Sequence, residues 1–379
     1  MSDFSKAVTA NPFGRRQFLR GGALTAGAVL LGAGCSAKPE NARTNTGSTT
    51  AGTKPAADAT GSIRVMVWSG LVEPIVREQA VVPFNKKYPN VKVELEVGTN
   101  ADLYPKLLAA KGSAQYAGAM MNDLFSARGN MDGMWAPPNL TIMENAKEVP
   151  AELNPPGGFA IALMLTGQGL IYNPDEVEAP TSWKDLYRPE YAGRVVMSDG
   201  YFGAYSMASL IEGGDVNDIP GGIEVWKKYR RNIGAWTNSE GQKAELISSG
   251  SMWIAPGFGA WAEQEIAKGR KIAFAAPEEG QIRWSGSLQV LGGVEEVDSG
   301  LVAAFFDEFY SREFQEQFVK QGFFIPARAD VEIPSDIADR SQAVMTASEA
   351  RKALVPYDVE AVAKSQRDYT AQIQRTLKA

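Results

Sequence analysis

Hydrophobic and polar positions repeat with two different periods in the part of the chain that begins at residue 63. "IRVMVW" at 63–68 is a short apolar and β-branched run, and "VKVELEV" at 91–97 alternates with period two, so both predict strands. Residues 74–88 carry apolar positions at helical spacing, "ADLYPKLLAA" at 101–110 predicts a second helix, and "NDLFS" at 122–126 begins a third predicted strand. Strands that alternate with helices are typical of an α/β lobe with a largely parallel sheet.

Near the end of the chain, "LVAAFFDEFYSREFQEQFV" at 301–319 has the spacing of an amphipathic helix, with Phe305, Phe309 and Phe318 among its apolar positions. We find no internal repeat and no low-complexity tract after residue 62. The 38 glycines are scattered and form no phosphate-binding or dinucleotide-binding fingerprint.

The first 34 residues follow a different pattern. Arg15 and Arg16 precede an uncharged run of 14 residues, Gly21 to Gly34, which is shorter than the roughly 20 apolar residues that a membrane span needs. A basic segment, a short apolar segment and small residues at the cleavage site predict a secretory signal, and the paired arginines indicate the twin-arginine route. The alternative is a basic arm with a disordered Ala/Gly tail.

The uncharged run ends at Cys35, the only cysteine of the chain, so no internal disulfide is possible. Leu31-Gly32-Ala33-Gly34-Cys35 resembles a bacterial lipobox, which predicts a lipidated Cys35 at the mature N-terminus; a stray surface thiol is the alternative. Residues 36–62 contain no Val, Ile, Leu, Met or aromatic residue, so 35–62 are expected to form a disordered tether. We therefore expect export, with attachment to the outer face of the cytoplasmic membrane or within the periplasm through the lipid alone.

Composition restricts the function of the remaining body. Hydrophobic residues make up 44% of the chain and charged residues 22%, as in a globular protein. Without residues 1–34 the chain keeps 34 basic and 43 acidic residues, a net charge of −9 that argues against nucleic acid or anionic lipid as a partner. The absence of histidine removes His-based triads, zinc-water sites and His general bases, and no catalytic set or cofactor motif is visible.

Several segments together resemble one family of transport proteins. The segments are "GLIYNPDEV" (169–177), "TSWKDLYRPEYAGRV" (181–195), "SGSMWIAP" (249–256), "IRWSGSLQV" (282–290) and "QGFFIPARAD" (321–330). Their order and spacing are similar to those of the polyamine- and ferric-iron-binding branch of the family 1 solute receptors of bacterial ABC importers. The resemblance covers nearly all of residues 63–379.

The resemblance implies an α/β, two-lobed periplasmic binding protein fold of type II, with the ligand in the cleft between the lobes. It also implies a protein that passes a small-molecule solute to an ABC permease and its ATPase. We expect a monomer, with no cofactor and no metal. The strands that cross between the lobes are expected near 162–173 and 282–291. The implied first lobe is 63–165 with 286–330, and the implied second lobe is 166–285 with 331–379.

The resemblance also suggests which residues bind the ligand. Trp68 and Ser69 end the first strand, where the family places an aromatic ring and a hydroxyl against the ligand. Polyamine receptors carry acidic contacts in the segment that is "SDGYFGAYSM" (198–207) here, but Gly200 and Gly203 stand at two of the aligned acidic positions. Gly286, which follows Trp284, stands at a third. The predicted ligand-binding residues are Trp68, Ser69, Arg128, Asp199, Tyr201, Tyr205, Trp261 and Trp284.

Two of these residues carry charge. Arg128, expected in a loop after the third strand, could clamp a carboxylate or phosphonate, and Asp199 could neutralise one ammonium group. Aromatic faces suit an organic cation through cation–π contact or a flat apolar group. We therefore predict a receptor for a small organic amine, either polyamine-like or zwitterionic, and for the zwitterion we expect Trp68 and Trp284 to hold the cationic head.

Other functions remain open at this stage. One is a true polyamine receptor that uses Asp123, Asp132 or Asp358. Another is a receptor for ferric iron or an anionic solute, although "IAPGFGAWAEQE" (254–265) lacks the tyrosines that iron receptors present there. A secreted enzyme on a similar bilobal scaffold and a structural surface adhesin are the alternatives from other classes.

The export signal and the anchor make one testable prediction. Changing both Arg15 and Arg16 to Lys should leave uncleaved precursor in the cytoplasm, because the twin-arginine route needs the paired guanidinium groups. Cys35→Ser should abolish labelling by a radioactive fatty acid while the protein is still exported. Undiminished lipid labelling of the Cys35→Ser variant would refute the anchor.

Overall fold

The computed structural model describes residues 53–113, 115–292 and 299–378. The predicted signal peptide (1–34) with Arg15 and Arg16, the predicted lipidation site Cys35 and the tether as far as residue 52 lie outside these ranges. Among the described residues, no helix is both long and apolar enough to cross a membrane.

Twelve strands in the described part of the chain form one sheet. They are β1 (Gly61–Trp68), β2 (Val91–Gly98), β3 (Gly118–Asn122), β4 (Trp135–Ala136), β5 (Ala160–Tyr172), β6 (Val195–Met197), β7 (Ile233–Trp236), β8 (Ile254–Phe258), β9 (Ala273–Ala275), β10 (Gln281–Leu291), β11 (Ile325–Pro326) and β12 (Leu354–Val355).

Thirteen α-helices alternate with the strands along the described part of the chain, singly or in groups. The α-helices are α1 (Val72–Val76), α2 (Val82–Lys87), α3 (Asn100–Ala109), α4 (Asp123–Met131), α5 (Gly203–Ile211), α6 (Ile219–Lys228), α7 (Glu240–Ser248), α8 (Gly259–Ala267), α9 (Ser299–Glu308), α10 (Arg312–Gly322), α11 (Ser335–Ala338), α12 (Ala347–Ala353) and α13 (Val359–Ile373). A π-helical turn, Arg77–Val81, joins α1 to α2, and a second one, Gln374–Lys378, follows α13. Short 3-10 helices are Asn145–Glu148, Ala151–Leu153, Trp183–Tyr187, Pro189–Tyr191 and Arg230–Asn232.

The strand order along the sheet is β2-β1-β3-β10-β5-β8-β6-β7. β1 runs parallel to β2 and β3 at one end, and β6 runs parallel to β7 and β8 at the other. Between them, β5 and β10 are antiparallel to each other. These two strands coincide with the predicted crossing segments near 162–173 and 282–291, whereas the exact lobe boundaries stay a prediction.

β5 passes from one half of the sheet to the other. Its first part pairs with β10 and β11, and its last part, from Gln168 to Tyr172, pairs with β8. All 13 of its residues are buried, as its nearly unbroken apolar sequence predicts for a strand covered on both faces. β5 therefore ties the two halves together at their centre.

Four apolar clusters are buried among the described residues, and we call the two with the most residues the first and the second core. The first contains Phe84, Phe305 and Phe318, with the ring centroids of Phe84 and Phe305 5.1 Å apart. The second contains Trp183 and Trp226, both almost fully buried. Trp183 is thus a core residue, and its indole nitrogen donates to the carbonyl oxygen of Gly280 at 2.8 Å.

The structure corrects the predicted third strand. That strand ends at Asn122 and does not begin there, and α4 starts at Asp123. The Asn122 side chain accepts a hydrogen bond from the backbone N–H of Phe125 at 3.0 Å, which is the geometry of a helix N-cap. Arg128 consequently lies on a helix, not in the predicted loop.

The predicted helix at 301–319 is also divided. α9 ends at Glu308 and α10 begins at Arg312, because Ser311 has extended backbone angles and its hydroxyl caps α10 by accepting from Phe314 N–H at 3.2 Å. The turn between the two helices lets Phe305 and Phe318 enter the same core.

The final part of the predicted tether packs against the body. β1 begins at Gly61, Ala59 lies against the first core, and the ammonium of Lys54 pairs with Glu144 at 3.1 Å. The sequence between 53 and 62 has no large apolar side chain, so backbone pairing and small residues account for this contact. Gly61 and Ser62, the last two residues of the predicted tether, belong to β1, and the other bounds of the tether stay a prediction.

The packing of α5 on α6 makes a stability prediction. A Cβ atom at Gly222 would lie 1.8 Å from the carbonyl oxygen of Tyr205, whereas a Cβ at Gly241, also in a helix, would meet only the Ser239 hydroxyl at 4.0 Å. Gly222→Ala should lower the free energy of unfolding by about 1–3 kcal/mol through overpacking. Gly241→Ala, the matched control, should raise it by about 0.5–1 kcal/mol through helix propensity. Urea unfolding measures both, and equal effects would contradict the close packing.

Candidate ligand-binding cleft

A cavity of about 770 Å³ opens where β1 and β2 end, and we call it the main cavity. β1 supplies Trp68, β10 supplies Trp284 and α8 supplies Trp261, while Tyr201 closes the wall from the loop before α5. The ring centroids of Trp68 and Trp284 are 5.8 Å apart, and those of Trp261 and Trp284 are 5.1 Å apart with the rings nearly perpendicular. A volume of this size suits a small-molecule ligand.

The Trp68 indole is held in place from two sides. Its nitrogen donates to the side-chain oxygen of Asn100 at 3.0 Å, and the same oxygen accepts from the backbone N–H of Asn122 at 3.2 Å. On the other side, a Cβ at Gly286 would lie only 2.5 Å from the Trp68 ring. Glycine at 286 therefore makes room for the indole where polyamine receptors are expected to have an acid.

The other two glycines at expected acidic positions also face neighbouring side chains. A Cβ at Gly203 would lie 2.1 Å from the side-chain oxygen of Gln168, and a Cβ at Gly200 would lie 3.1 Å from the amide of Asn238. The space of the missing carboxylates is thus taken by protein groups.

Five predicted ligand-binding residues line the main cavity together. They are Trp68, Ser69, Tyr201, Trp261 and Trp284. Trp68 and Trp284 are only 9% and 7% exposed, so these rings also belong to the first core.

The structure places Tyr205 elsewhere. It is fully buried in the second core, where its hydroxyl donates to the carbonyl oxygen of Ser198 at 2.8 Å. Burial raises the pKa of its phenol well above the ordinary value. Tyr205 therefore supports the segment at 198–201 from below and does not line the main cavity.

The two charged residues predicted to touch the ligand also lie outside the main cavity. Arg128 donates to the side-chain oxygen of Gln366 on α13 at 2.5 Å. Asp199 pairs with Lys378 at 2.6 Å and accepts from Gln374 at 2.9 Å. Burial opposes ionisation of Asp199, but hydrogen bonds from Lys378 and Asn238 outweigh it, so the pKa of Asp199 is lowered. Both residues hold the C-terminal segment onto the body.

A smaller chamber of about 320 Å³ adjoins the main cavity and shares Asn100, Tyr201, Trp261 and Trp284 with it. Sequence reasoning missed the polar residues that it adds: Asn122, Asn238, Ser239 and Glu240. The signal that could have found three of them, Asn238, Ser239 and Glu240, is "NSE" at 238–240 where α7 begins, because the Ser239 side chain caps α7 by accepting from Gln242 N–H at 3.3 Å.

Glu240 is the acid that lines the smaller chamber. It is 9% exposed, and its carboxylate pairs with the fully buried ammonium of Lys243 at 2.7 Å and accepts from Phe258 N–H at 3.2 Å. Burial, with the nearby charge of Glu240, raises the pKa of Tyr201 to about 12, so that this phenol stays neutral at physiological pH.

The acids considered for a polyamine site do not line the main cavity either. Asp123 is buried behind β10 and accepts from Ser285 N–H at 3.2 Å. Asp132 accepts from the Tyr104 hydroxyl at 2.5 Å, and Asp358 caps α13. Within the described ranges, no group of three or more acidic, Cys or His side chains is placed to hold a metal ion.

A mixed α/β body with an aromatic cavity at the ends of its strands is typical of a solute receptor. A family model described as bacterial extracellular solute-binding protein matches residues 79–346. The match spans more than half of the chain, so this protein belongs to that family.

Known relatives agree with this assignment. Spermidine/putrescine-binding periplasmic protein 1 of Haemophilus influenzae is 24% identical over 255 residues, which cover 62% of this chain and 68% of that protein. A solved ABC transporter structure from Clostridium perfringens has a TM-score of 0.72 and 18% identity, covering 83% of this chain and 99% of that one. The spermidine/putrescine ABC transporter substrate-binding protein of Streptococcus pneumoniae has a TM-score of 0.70 and 18% identity, covering 84% and 100%. The solved structures confirm the predicted two-lobed fold, and the family model confirms the predicted solute-binding function.

Burial of Asp123 predicts a pH dependence of stability. Desolvation raises its pKa from 3.8 to about 6. A group whose pKa is raised by folding stabilises the folded state at low pH, and this stabilisation is lost as the pH rises through the folded pKa. Relative to an Asp123→Asn variant, the protein should therefore lose about 2 kcal/mol of unfolding free energy between pH 4 and pH 7.5.

Asp330→Asn is the control, because a hydrogen bond from Arg328 holds the pKa of Asp330 at about 2. Asp330 in the folded protein is almost fully ionised at pH 4. The difference in unfolding free energy between this variant and the parent should therefore change by less than about 0.5 kcal/mol between pH 4 and pH 7.5. Denaturant unfolding at both pH values decides the matter, and identical pH profiles for the parent and Asp123→Asn would contradict a raised pKa.

Proposed function

We propose that the ligand of this ABC-importer receptor is a small organic amine with an anionic or oxygen-bearing end, delivered to the permease by closure of the two lobes. The observation that carries the proposal is the wall of Trp68, Tyr201, Trp261 and Trp284 around the main cavity. Aromatic faces attract an organic cation by about 0.5–2 kcal/mol each, with the larger values where water is excluded.

The charges of the cleft favour one ammonium group over several. Among the described residues that line the main cavity there is no Asp or Glu, and the single charged side chain is Lys268. Burial of an ammonium group without a partner is costly, so a tri- or tetracation would lack counter-charges here. The relatives that are spermidine/putrescine-binding proteins by name are 24% identical, and they support an amine as the class of ligand.

The cellular context is also part of this proposal. We place the protein outside the cytoplasmic membrane after twin-arginine export through Arg15 and Arg16, anchored by a lipid on Cys35 and acting as a monomer beside a permease and its ATPase. The apolar-free sequence of residues 36–52 would give the body reach to its permease. Lobe closure is its working step, as in other periplasmic binding proteins, and no catalytic step is required.

Calorimetric titration of the purified, ligand-stripped protein tests the ligand class. 4-Aminobutyrate and 2-aminoethylphosphonate should bind with micromolar or lower Kd, and spermidine and putrescine should bind more weakly. A hundredfold excess of ligand over its Kd should stabilise the fold by about 2.7 kcal/mol and make the protein more compact in small-angle scattering. Binding of the polyamines alone, without any response to the zwitterions, would overturn the proposal.

A pair of tryptophan variants tests the aromatic wall. Trp284→Leu should weaken binding of the best amine at least tenfold, because it removes a ring that both chambers share. Trp253→Leu is the matched control, since Trp253 contacts Arg194 and lines neither chamber. Equal affinities of the two variants for the amine would contradict a role for the wall.

A further inference from the structure

We propose that the smaller chamber selects the ligand, with Glu240 binding its ammonium group and the side-chain amides of Asn100 and Asn122 binding its oxygen end. This inference rests on the proposed function and assigns specificity within the same cleft. Glu240 lies in the predicted second lobe, and the two asparagines lie in the predicted first lobe. A ligand that contacts all three would join the lobes.

Glu240 has hydrogen-bonding capacity left for a ligand. One carboxylate oxygen accepts from Lys243 and the other accepts from Phe258 N–H, while an ionised carboxylate has about four acceptor positions. Lys243 is 0% exposed and also donates to the carbonyl oxygen of Pro256 at 2.9 Å, so its ammonium is committed to the protein. The ion pair is neutral overall, so a zwitterion, which adds no net charge, suits this site better than a dication.

Asn100 and Asn122 present donors to the same chamber. The side-chain oxygen of Asn100 already accepts from the Trp68 indole, and that of Asn122 accepts from Phe125 N–H. Their amide nitrogens donate to no acceptor among the residues that the structure describes, and both side chains line the chamber. Each amide therefore has N–H groups available for a carboxylate, phosphonate or other oxygen.

Aromatic rings form part of the wall of the smaller chamber. Tyr201, Phe258, Trp261 and Trp284 line it beside the polar residues, and the ring centroids of Tyr201 and Phe258 are 5.2 Å apart. Hydrogen bonds to an ionised group are stronger than those between neutral groups. Putrescine offers two ammonium groups, which only donate hydrogen bonds, whereas butyrate offers one carboxylate, which only accepts them. An amino acid of the same chain length satisfies both sides.

The test compares three four-carbon ligands, 4-aminobutyrate, putrescine and butyrate, by calorimetry with the purified protein. Glu240→Gln should weaken 4-aminobutyrate on the order of tenfold to a hundredfold, as expected for loss of a charge-assisted hydrogen bond. The matched control is Glu263→Gln. Glu263 is 3% exposed, pairs with Arg340 at 2.7 Å and lines neither chamber, so its variant should bind within about twofold of the parent.

A second variant keeps the test valid if Glu240→Gln folds poorly. Asn100→Asp keeps the acceptor for the Trp68 indole but replaces the donor with a negative charge. It should shift the preference from 4-aminobutyrate towards putrescine by at least tenfold. An unchanged ratio, or parental affinity of Glu240→Gln for 4-aminobutyrate, would overturn this inference and leave the proposed function standing. Failure of every amine to bind the parent protein would overturn the proposed function, and the inference with it.

Discussion

The antiparallel pairing of β5 with β10 joins the two parallel parts of the sheet. The pairing extends from Ile282 opposite Gln168 to Gln289 opposite Ala160, with an irregularity at Gly286. Helices on both halves attach to β5 through buried side chains: Gln315 of α10 donates to Leu163 O at 2.9 Å, and Thr166 accepts from Ala260 N–H of α8 at 3.0 Å. β5 is buried along its whole length, so the proposed motion of the lobes would have to bend these two strands without breaking their pairing.

The irregularity at Gly286 lies beside the aromatic wall of the main cavity. The pairing register shifts between Gly286 and Ser287, and Gly286 is also the residue against which the Trp68 ring packs. Trp284 lies two residues earlier on the same strand and contacts both Trp68 and Trp261. A change in the curvature of β10 would therefore move the Trp68 and Trp284 rings together, which would link the proposed lobe closure to the wall of the main cavity.

The sequence predicts the elements with strong periodicity and misses those that depend on single capping residues. β1, β2 and both crossing strands follow from apolar runs or from the family resemblance, and the structure contains them. The ends of elements do not follow, because one polar side chain decides each of them. Asn122 is the last residue of β3, and its side chain caps α4, which begins at the next residue. The Ser311 side chain caps α10 and so separates it from α9.

The aromatic wall was predictable from sequence, but its electrostatics were not. Trp68, Tyr201, Trp261 and Trp284 lie on segments that the family resemblance identifies. Charged groups could not be placed in the same way, since their effect depends on partners that are distant in sequence: Asp199 is neutralised by Lys378 and Arg128 is held by Gln366, more than 170 residues away in each case. Glu240 has its partner Lys243 within one helical turn, yet only the folded chain brings it beside Tyr201. Glu240 lines the smaller chamber and is already paired with Lys243. A paired carboxylate still accepts hydrogen bonds after its long-range field is cancelled, so we expect hydrogen-bond geometry to contribute more to specificity here than net charge.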